Sequence, residues 1–431
     1  MCGFVININE SEITDNFKKK FFNLSKKNFH RGPDQISLFN DKKISVLFRR
    51  LSIIDITKKS GQPFFSKDKR FLLIFNGEIY NYKEIKSKLI EKGIFFKSDG
   101  DAEVLLEAFI FYGNNFIKYI RGMFSFCIWD FKKNQLIAFR DRFGQKPLYY
   151  YQTRNQITFS SEIKDIIFLH KDFVENSEVV RRYLIRSFSE EKNQTFFKKI
   201  FRVPPGSYII YKNNKVKIGQ YYKVRSSEKI DYNKEEFKKI FFDSINLHNR
   251  SDVKTAYLLS GGLDSSSLVA SSDHLGFKPN CFSVIPEGTF NEKPYINKIV
   301  KIKKINHEYL KYSYKNLDFT KMVKSHDEPV RSSSCIYQYL LRAKIKERGF
   351  KVLVTGEGAD EIFGGYKRML TIFLYNTYLK GNKSLLLKNL KDFNLNNDLV
   401  KNVFKKTSLI LKKNLPIKRT HLILNFLKIN I

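Results

Sequence analysis

A cysteine at position 2 puts a thiol and, once Met1 is removed, a free α-amino group on one carbon. An α-amine with a pKa of about 7.7 to 8 is partly neutral near pH 7, so it can accept the thiol proton directly or through water. One residue then supplies nucleophile and base. Asn76-Gly77-Glu78 directly follows the apolar run FLLIF, where an amide side chain and a glycine N–H can point together at a tetrahedral oxyanion. Three charged turns add to this set: His30-Arg31-Gly32-Pro33-Asp34, Arg50-Leu51-Ser52-Ile53-Ile54-Asp55 and Ser98-Asp99-Gly100-Asp101-Ala102-Glu103. Each alone reads more readily as ordinary turn chemistry or a surface ion pair.

A second chemistry lies further along. Ser260-Gly261-Gly262-Leu263-Asp264-Ser265-Ser266 follows the apolar run TAYLL and precedes a helical pattern. Glycines let the backbone approach an anion, and hydroxyls and N–H groups at a helix N-terminus face it, which makes a phosphate-binding loop. Asp264 sharpens the reading, because a carboxylate beside phosphates is repelled unless a cation such as Mg²⁺ lies between them. The loop lacks the Gly-Lys-Ser/Thr ending that goes with γ-phosphoryl transfer. Thr355-Gly356-Glu357-Gly358-Ala359-Asp360-Glu361 ends another apolar run and continues through Ile-Phe-Gly-Gly to Tyr366. The remaining candidates, His248, His274, His307 and His326, have no metal-ligand spacing and read as packing or surface residues.

The elements that must position these residues change character midway. Residues 2–8 predict a strand, followed by a basic helix near 15–28. Strand-like runs recur at 45–48, 71–75, 124–129 and 135–139. Helical spacing covers 82–92 and 101–112, the second with Ala102, Leu105, Leu106, Phe109 and Ile110 on one side. This mixed sheet-and-helix half ends near Tyr211, and residues 212–235 predict a linker. From 236 onward strands alternate with helices: 255–259, 281–285 and 351–355 are strand-like, with a helix near 291–303, the pattern of a parallel, helix-covered sheet. After Tyr366 the chain is rich in Lys, Asn and Leu and predicts basic helices.

The chain has 431 residues and 42% hydrophobic content, enough for two domains each with a core. Its four cysteines, Cys2, Cys127, Cys281 and Cys335, form no C-x-x-C pair and read as free thiols, Cys127 and Cys281 being buried in strands. No signal peptide or apolar span of about 20 residues can be drawn, so the expectation is a cytoplasmic protein without a membrane partner. A formal charge of +35 would ordinarily raise nucleic acid as a partner. Here Lys, Asn, Ile and Phe are abundant throughout, which reads as a compositional bias. No nucleic-acid-binding signature accompanies it, and no nucleic-acid partner is expected.

In their order, M-C-G, H-R-G-P-D, R-L-S-I-I-D, N-G-E-I-Y-N, G-M-F-S-F and R-D-R-F-G-Q-K-P-L-Y-Y resemble the glutaminase domain of class II amidotransferases, the N-terminal-nucleophile group, over residues 2–211. The match is with the branch of glutamine-hydrolysing asparagine synthetases. The fold this implies is an αββα sandwich followed by a parallel-sheet α/β nucleotide-binding domain, so α+β and then α/β. The resemblance implies that Cys2 attacks the glutamine amide while Asn76 and the Gly77 N–H hold the oxyanion. Glu78 would seat the substrate, Arg50 its α-carboxylate and Asp101 its α-amino group, with Leu51, Ser52, Ile53 and Ile54 in the same pocket. Charge complementarity suits Arg50 and Asp101 independently.

S-G-G-x-D-S resembles the signature of ATP pyrophosphatases, which cleave ATP to AMP and pyrophosphate, and T-G-E-G-A-D-E matches the second signature of the synthetases. ATP contacts are implied at Leu259, Ser260, Gly261, Gly262, Asp264, Ser265, Ser266, Val284, Thr355 and Gly356. Asp264 and Asp360 would share Mg²⁺, and Glu357 would assist at the acyl-adenylate. The implied substrates are glutamine, aspartate and ATP. The resemblance also implies a dry passage for ammonia between the domains and leaves a homodimer open.

Two departures stand out. Many relatives have His where this chain has Phe48, a position to which no essential proton transfer is assigned. Residues 367–431 contain no S-x-E-x-R-x-P-F-L-D-like segment such as completes the synthetase domain of family members. Ser332 to Ser334, after Asp327-Glu328-Pro329, are placed near the acceptor pocket. Three readings follow: asparagine synthesis, transfer to another carboxylate such as a sugar acid of a surface polysaccharide, or a catalytically incomplete glutaminase or regulatory protein.

Overall fold

The computed structural model describes residues 2–187, 191–224, 233–284, 292–310, 319–330, 334–379, 384–385 and 388–389. The chain divides into two units, Met1–Val354 and Thr355–Ile431.

The first part of unit one carries strands β1 (Gly3–Asn9), β2 (Gln35–Asn40), β3 (Ile44–Arg50), β4 (Phe64–Phe65), β5 (Phe71–Ile79), β6 (Gly122–Asp130), β7 (Gln135–Arg140), β8 (Tyr149–Gln152), β9 (Gln156–Ser160), β10 (Ile200–Arg202), β11 (Ser207–Lys212) and β12 (Lys215–Gln220). Helices α1 (Asp15–Lys27), α2 (Tyr82–Ile90), α3 (Asp101–Tyr112), α4 (Ile163–His170) and α5 (Ser177–Arg186) connect them. The strands form two six-stranded antiparallel sheets, ordered β10-β8-β9-β1-β3-β2 and β12-β11-β7-β6-β5-β4.

The central strands β1, β3, β5 and β6 are buried on both faces. Phe4, Ile6, Val46 and Phe48 of one sheet meet Leu72, Ile74, Cys127 and Trp129 of the other. One residue out of phase, Val5 and Leu47 pack on Phe21 and Leu24 of α1 and Leu169 of α4. Leu73, Phe75, Phe124 and Phe126 pack on Ile85 and Leu89 of α2 and Leu105 of α3. Side chains alternate between faces, so a strand covered on both sides reads as a continuous apolar run, which explains FLLIF and FSFCIW. The result is the αββα sandwich expected from sequence.

Two expectations need correction. The linker drawn over 212–235 begins as structure: β12 pairs with β11 and extends the second sheet to Gln220, while 225–232 lie outside the described residues. On α3, Ile110 is exposed, and Val104 and Ala108 take the buried positions, because this helix is apolar on more than one side.

The rest of unit one contains α6 (Lys234–His248), β13 (Thr255–Leu258), α7 (Leu263–His274), β14 (Asn280–Val284), α8 (Lys293–Lys303), β15 (Asn306–Leu310), α9 (Phe319–His326), α10 (Ser334–Glu347) and β16 (Val352–Val354). The four strands are parallel in the order β15-β14-β13-β16. Tyr257 and Cys281 pack on Val269 of α7 and Ile296 of α8. Ala256, Phe282 and Leu310 pack on Ile345 of α10 across the other face. This is the helix-covered parallel sheet expected of the second half. Cys127 and Cys281 are buried, and the described cysteines are free thiols.

In unit two, α11 (Ala359–Phe363) and α12 (Lys367–Leu379) are described. The basic helices expected beyond them fall almost wholly outside the described residues, as do Ser332 and Ser333. Among the described residues no helix is long and apolar enough to cross a membrane.

Candidate functional site

Cys2 precedes β1 and lies against the loop that leaves β3. The Leu51 N–H donates to Cys2 Sγ at 3.3 Å, and Sγ reaches the Leu51 carbonyl at 3.6 Å. Arg31 donates through Nε and Nη2 to the Cys2 carbonyl at 3.2 and 2.8 Å. In the amide orientation that satisfies its neighbours, Asn76 Nδ2 donates to the same carbonyl at 3.0 Å and Oδ1 accepts from Arg31 Nη2 at 3.3 Å. Residues 2, 31, 51 and 76 therefore meet at one point.

Glycines permit this approach. A Cβ on Gly32 would stand 2.4 Å from the Arg50 nitrogen, and one on Gly77 2.2 Å from the Met123 carbonyl oxygen. Burial pushes the Cys2 thiol up, against the Leu51 N–H and the positive charges of Lys146 and Arg31. A thiol held up in this way needs a base to become a nucleophile.

The remaining glutamine-site candidates lie at the end of β3 and the loop after it, on β5 and at the start of α3. Arg50 is buried, and its guanidinium donates to the Thr57 carbonyl at 2.6 Å and to the Asp55 carbonyl, closing the turn after β3. Ile54 packs in the core and Ser52 donates its N–H to Asp34 at 2.7 Å. Glu78, near the end of β5, is buried; burial raises its carboxyl and the Lys146 ammonium opposes. Asp101 opens α3 and accepts from the Ile79 N–H at 2.9 Å. Its burial, with the charge of Glu78, lifts it to about 7 against that hydrogen bond. Two buried carboxyls that resist ionisation would be drawn into their charged form by a cation placed beside them.

Sequence reasoning missed the residues that hold this set. Glu162 pairs with His30 at 2.8 Å and Arg31 at 3.6 Å, anchoring the HRGPD turn. Asp141 accepts backbone N–H groups from Phe124, Phe143, Gln145 and Lys146, at 3.2, 3.1, 2.9 and 2.9 Å, which orders the turn carrying Lys146. The run R-D-R-F-G-Q-K-P contained that signal. Phe48 is fully buried between the sheets. Asp327 accepts from the Ile163 and Lys164 N–H groups at the start of α4, at 2.9 and 3.2 Å. Glu328 accepts from the Phe196 N–H at 2.9 Å and pairs with Arg202. These two acids bind the first half of the chain.

The second site is local. Gly262 caps α7, and Gly261 has φ +79°, with the place of a Cβ 3.1 Å from that of Tyr295. Ser265 Oγ bonds the Ser260 nitrogen at 3.1 Å and Ser260 Oγ at 2.9 Å. The Ser266 hydroxyl is buried without a hydrogen-bond partner, so a polar position on this turn awaits one. Asp264 is the second residue of α7. Leu259 and Val284 stand at the C-terminal ends of β13 and β14, where parallel sheets take ligands, and the strand order reverses at β13 and β16.

Among the described residues no group of three or more His, Cys, Asp or Glu side chains could hold a metal. A Mg²⁺ bound with ATP would take most of its ligands from phosphate oxygens and water, and Asp264, in the first turn of α7, would offer it a carboxylate. In unit two, the Glu357 N–H meets Thr355 Oγ1 at 3.4 Å, and Gly356 accepts the Ala359 N–H at 3.3 Å. Asp360 lies in the short helix α11, and a Cβ on Gly365 would fall on its carboxylate.

Comparison with known proteins agrees with this geometry. The family described as "Glutamine amidotransferase domain" matches residues 1–222, and "Asparagine synthase" matches 236–415. Asparagine synthetase [glutamine-hydrolyzing] 1 of Bacillus subtilis is 34% identical over 402 residues, covering 90% of this chain and 63% of its own. A Methanocaldococcus jannaschii protein, named provisionally as asparagine synthetase [glutamine-hydrolyzing] 2, is 32% identical over 400 residues, covering 85% and 76%. Amidase chry2 of Gibberella zeae is 29% identical over 370 residues, covering 78% and 54%. The chain thus spans just under two thirds of the length of the Bacillus protein. The chain belongs to the family of glutamine-hydrolysing asparagine synthetases, with a glutamine amidotransferase domain ahead of an asparagine synthase domain.

Proposed function

We propose that this chain transfers the amide nitrogen of glutamine to aspartate at the expense of ATP, giving asparagine, glutamate, AMP and pyrophosphate. The observation that carries the reading is the meeting of Cys2 with Arg31, Leu51 and Asn76, residues from distant segments, with the buried carboxyl of Glu78 two residues past Asn76. In the first half-reaction, Cys2 Sγ attacks the glutamine side-chain carbonyl carbon and its proton passes to the α-amine of Cys2. An amide nitrogen carries two hydrogens, so Asn76 can hold the Cys2 carbonyl with one and the oxyanion with the other, beside the Gly77 N–H. Ammonia leaves with the transferred proton, and water cleaves the thioester to glutamate. Arg50 faces the substrate α-carboxylate; Glu78 and Asp101 face its ammonium.

In the second half-reaction, the aspartate β-carboxylate attacks the α-phosphorus of ATP and pyrophosphate leaves. Ammonia then attacks the acyl carbon of β-aspartyl-AMP and AMP leaves. Leu259, Ser260, Gly261, Gly262, Ser265, Ser266 and Val284, with Thr355 and Gly356, take the nucleotide, and Glu357 assists at the acyl-adenylate. Asp264 and Asp360 would each offer a carboxylate to Mg²⁺, which would neutralise phosphate charge when bound. We assign the first half-reaction to residues 2–211 and the second to 236–431, in the cytoplasm.

A second reading, transfer to a different carboxylate, draws on the similarity to Amidase chry2. AMP and pyrophosphate formation from ATP and Mg²⁺ with aspartate, using ammonia and then glutamine, separates the two. Asparagine with stoichiometric AMP supports the first reading. Glutamine hydrolysis with AMP only when another acid replaces aspartate moves the assignment to the second.

A further inference from the structure

The loop that touches Cys2 is held from outside the amidotransferase domain. Leu51 bonds the nucleophile at one end, and at the other the Asp55 N–H donates to Asp252 Oδ2 at 2.7 Å. The bond is answered in reverse, since the Asp252 N–H donates to the Ile53 carbonyl at 3.0 Å. Midway, the Ser52 N–H donates to Asp34 Oδ2, and the same oxygen accepts Lys351 Nζ, both at 2.7 Å. Two residues before Asp252, Arg250 donates to the Tyr80 carbonyl at 2.9 Å and pairs with Glu84, just past Asn76-Gly77-Glu78. Both walls of the glutamine pocket are therefore tied to the chain that follows.

These ties share an origin. Thr255 of β13 and Val352 of β16 are register partners in the parallel sheet. Asp252 lies three residues before the first and Lys351 one before the second, so both leave the same N-terminal edge of neighbouring strands. At the opposite end of β13, about 15 Å along the strand, begins the Ser260–Ser266 turn. A backbone N–H held by a carboxylate is a charge-assisted bond, and three of the five residues 51–55 are fixed through their backbones by Asp252 or the Asp34–Lys351 pair.

We propose that Asp252 and Lys351 are positioning residues for glutamine hydrolysis: the asparagine synthase half sets the Leu51–Asp55 loop against Cys2. This rests on the proposed function for the site it positions. It adds that the glutamine pocket is completed by residues belonging to neither its sheets nor its helices.

The test uses the full chain as Asp252→Ala, Asp252→Asn and Lys351→Met. Asp252→Ala is expected to lower kcat/KM for glutamine about tenfold, chiefly through KM, with AMP formation from ammonia within about twofold of wild type. Asp252→Asn keeps an oxygen that accepts the Asp55 N–H and should stay within about threefold of wild type; Lys351→Met should fall between them. Unchanged glutamine kinetics in Asp252→Ala, or equal impairment in Asp252→Asn, overturns the proposal. Should wild type hydrolyse no glutamine, the functional reading fails and amide hydrogen exchange over residues 51–55 decides the positioning role alone. Faster exchange there in Asp252→Ala, with β1 and β3 still protected, sustains it; unchanged exchange sinks it.

Discussion

The Cys2 pocket and the Ser260–Ser266 turn handle charge in opposite ways. At Cys2 the contacts come from the HRGPD turn, the β3 loop and β5, and burial holds Cys2, Glu78 and Asp101 away from their ordinary pKa values. At the turn, the working atoms come from one strand-to-helix connection, Gly262 is exposed, and the hydroxyls bond one another. Under the proposed function the first would receive a small zwitterion whose two charges must each find a partner, and the second would be a backbone cradle that an anion completes. A change in the pocket should therefore act on glutamine alone, and a change in the turn on ATP whatever the nitrogen source.

The sharpest break is Cys2→Ala. Without the sulfur no thioester forms, so glutamine-supported AMP formation should fall by about a thousandfold or more, while ammonia-supported turnover stays within about twofold. Gly261→Ala comes next. Gly261 sits at φ +79° with Tyr295 and Ile296 against the place of a Cβ, so the side chain disturbs the cradle. AMP formation should drop about a hundredfold with either nitrogen source, and glutaminase activity measured alone should survive.

Asp101 sharpens the comparison through pH. Its carboxyl, lifted to about 7, is protonated in the free protein below that pH, and in the proposed role it would then lose its hold on the substrate ammonium. The KM for glutamine should rise as pH falls below about 7 in wild type. In Asp101→Asn it should be raised about tenfold and lose that dependence, which a pH series of glutaminase kinetics reads directly.

The smallest effect is on stability. Folded Asp101 binds a proton that the unfolded chain releases above its ordinary value, 3.8, so Asp101 lowers stability progressively as pH rises from about 4 to about 7. Asp55 runs the other way. Burial raises it, but hydrogen bonds from Ser60, Thr57 and the Asp99 N–H outweigh that and hold it at about 2, so its contribution is present above pH 3.8 and lost as pH falls through 2. Denaturant unfolding between pH 4 and 7 should show a shallower decline in Asp101→Asn than in wild type.

How much could be read beforehand follows the same divide. The Ser260–Ser266 turn was legible as a strand-to-helix connection because its parts are consecutive. The strands around 71–75 and 124–129 were legible because burial on both faces leaves unbroken apolar runs. β9 was not, because buried polar residues interrupt it: Thr158 accepts from Asn7 Nδ2 at 2.8 Å and Ser160 donates to Asp165 at 3.1 Å, contacts that only the folded chain supplies. The same holds for Glu162, Asp252 and Lys351. Each is an ordinary charged residue until the fold carries it beside the HRGPD turn or the β3 loop. The expected linker failed where β12 begins, since Lys215, Lys217 and Gln220 on an edge strand look like loop.

The central claim is that one chain moves nitrogen from glutamine at Cys2 to a carboxylate activated by ATP. The most direct measurement supplies glutamine labelled with ¹⁵N in its side-chain amide, with ATP, Mg²⁺ and aspartate, and follows the label by mass spectrometry in wild type and Cys2→Ala. The account expects ¹⁵N in the side-chain amide of asparagine from wild type, and none from Cys2→Ala, which should still incorporate added ammonia. Label in asparagine made by Cys2→Ala, or glutamate released by wild type with no labelled asparagine, would contradict it.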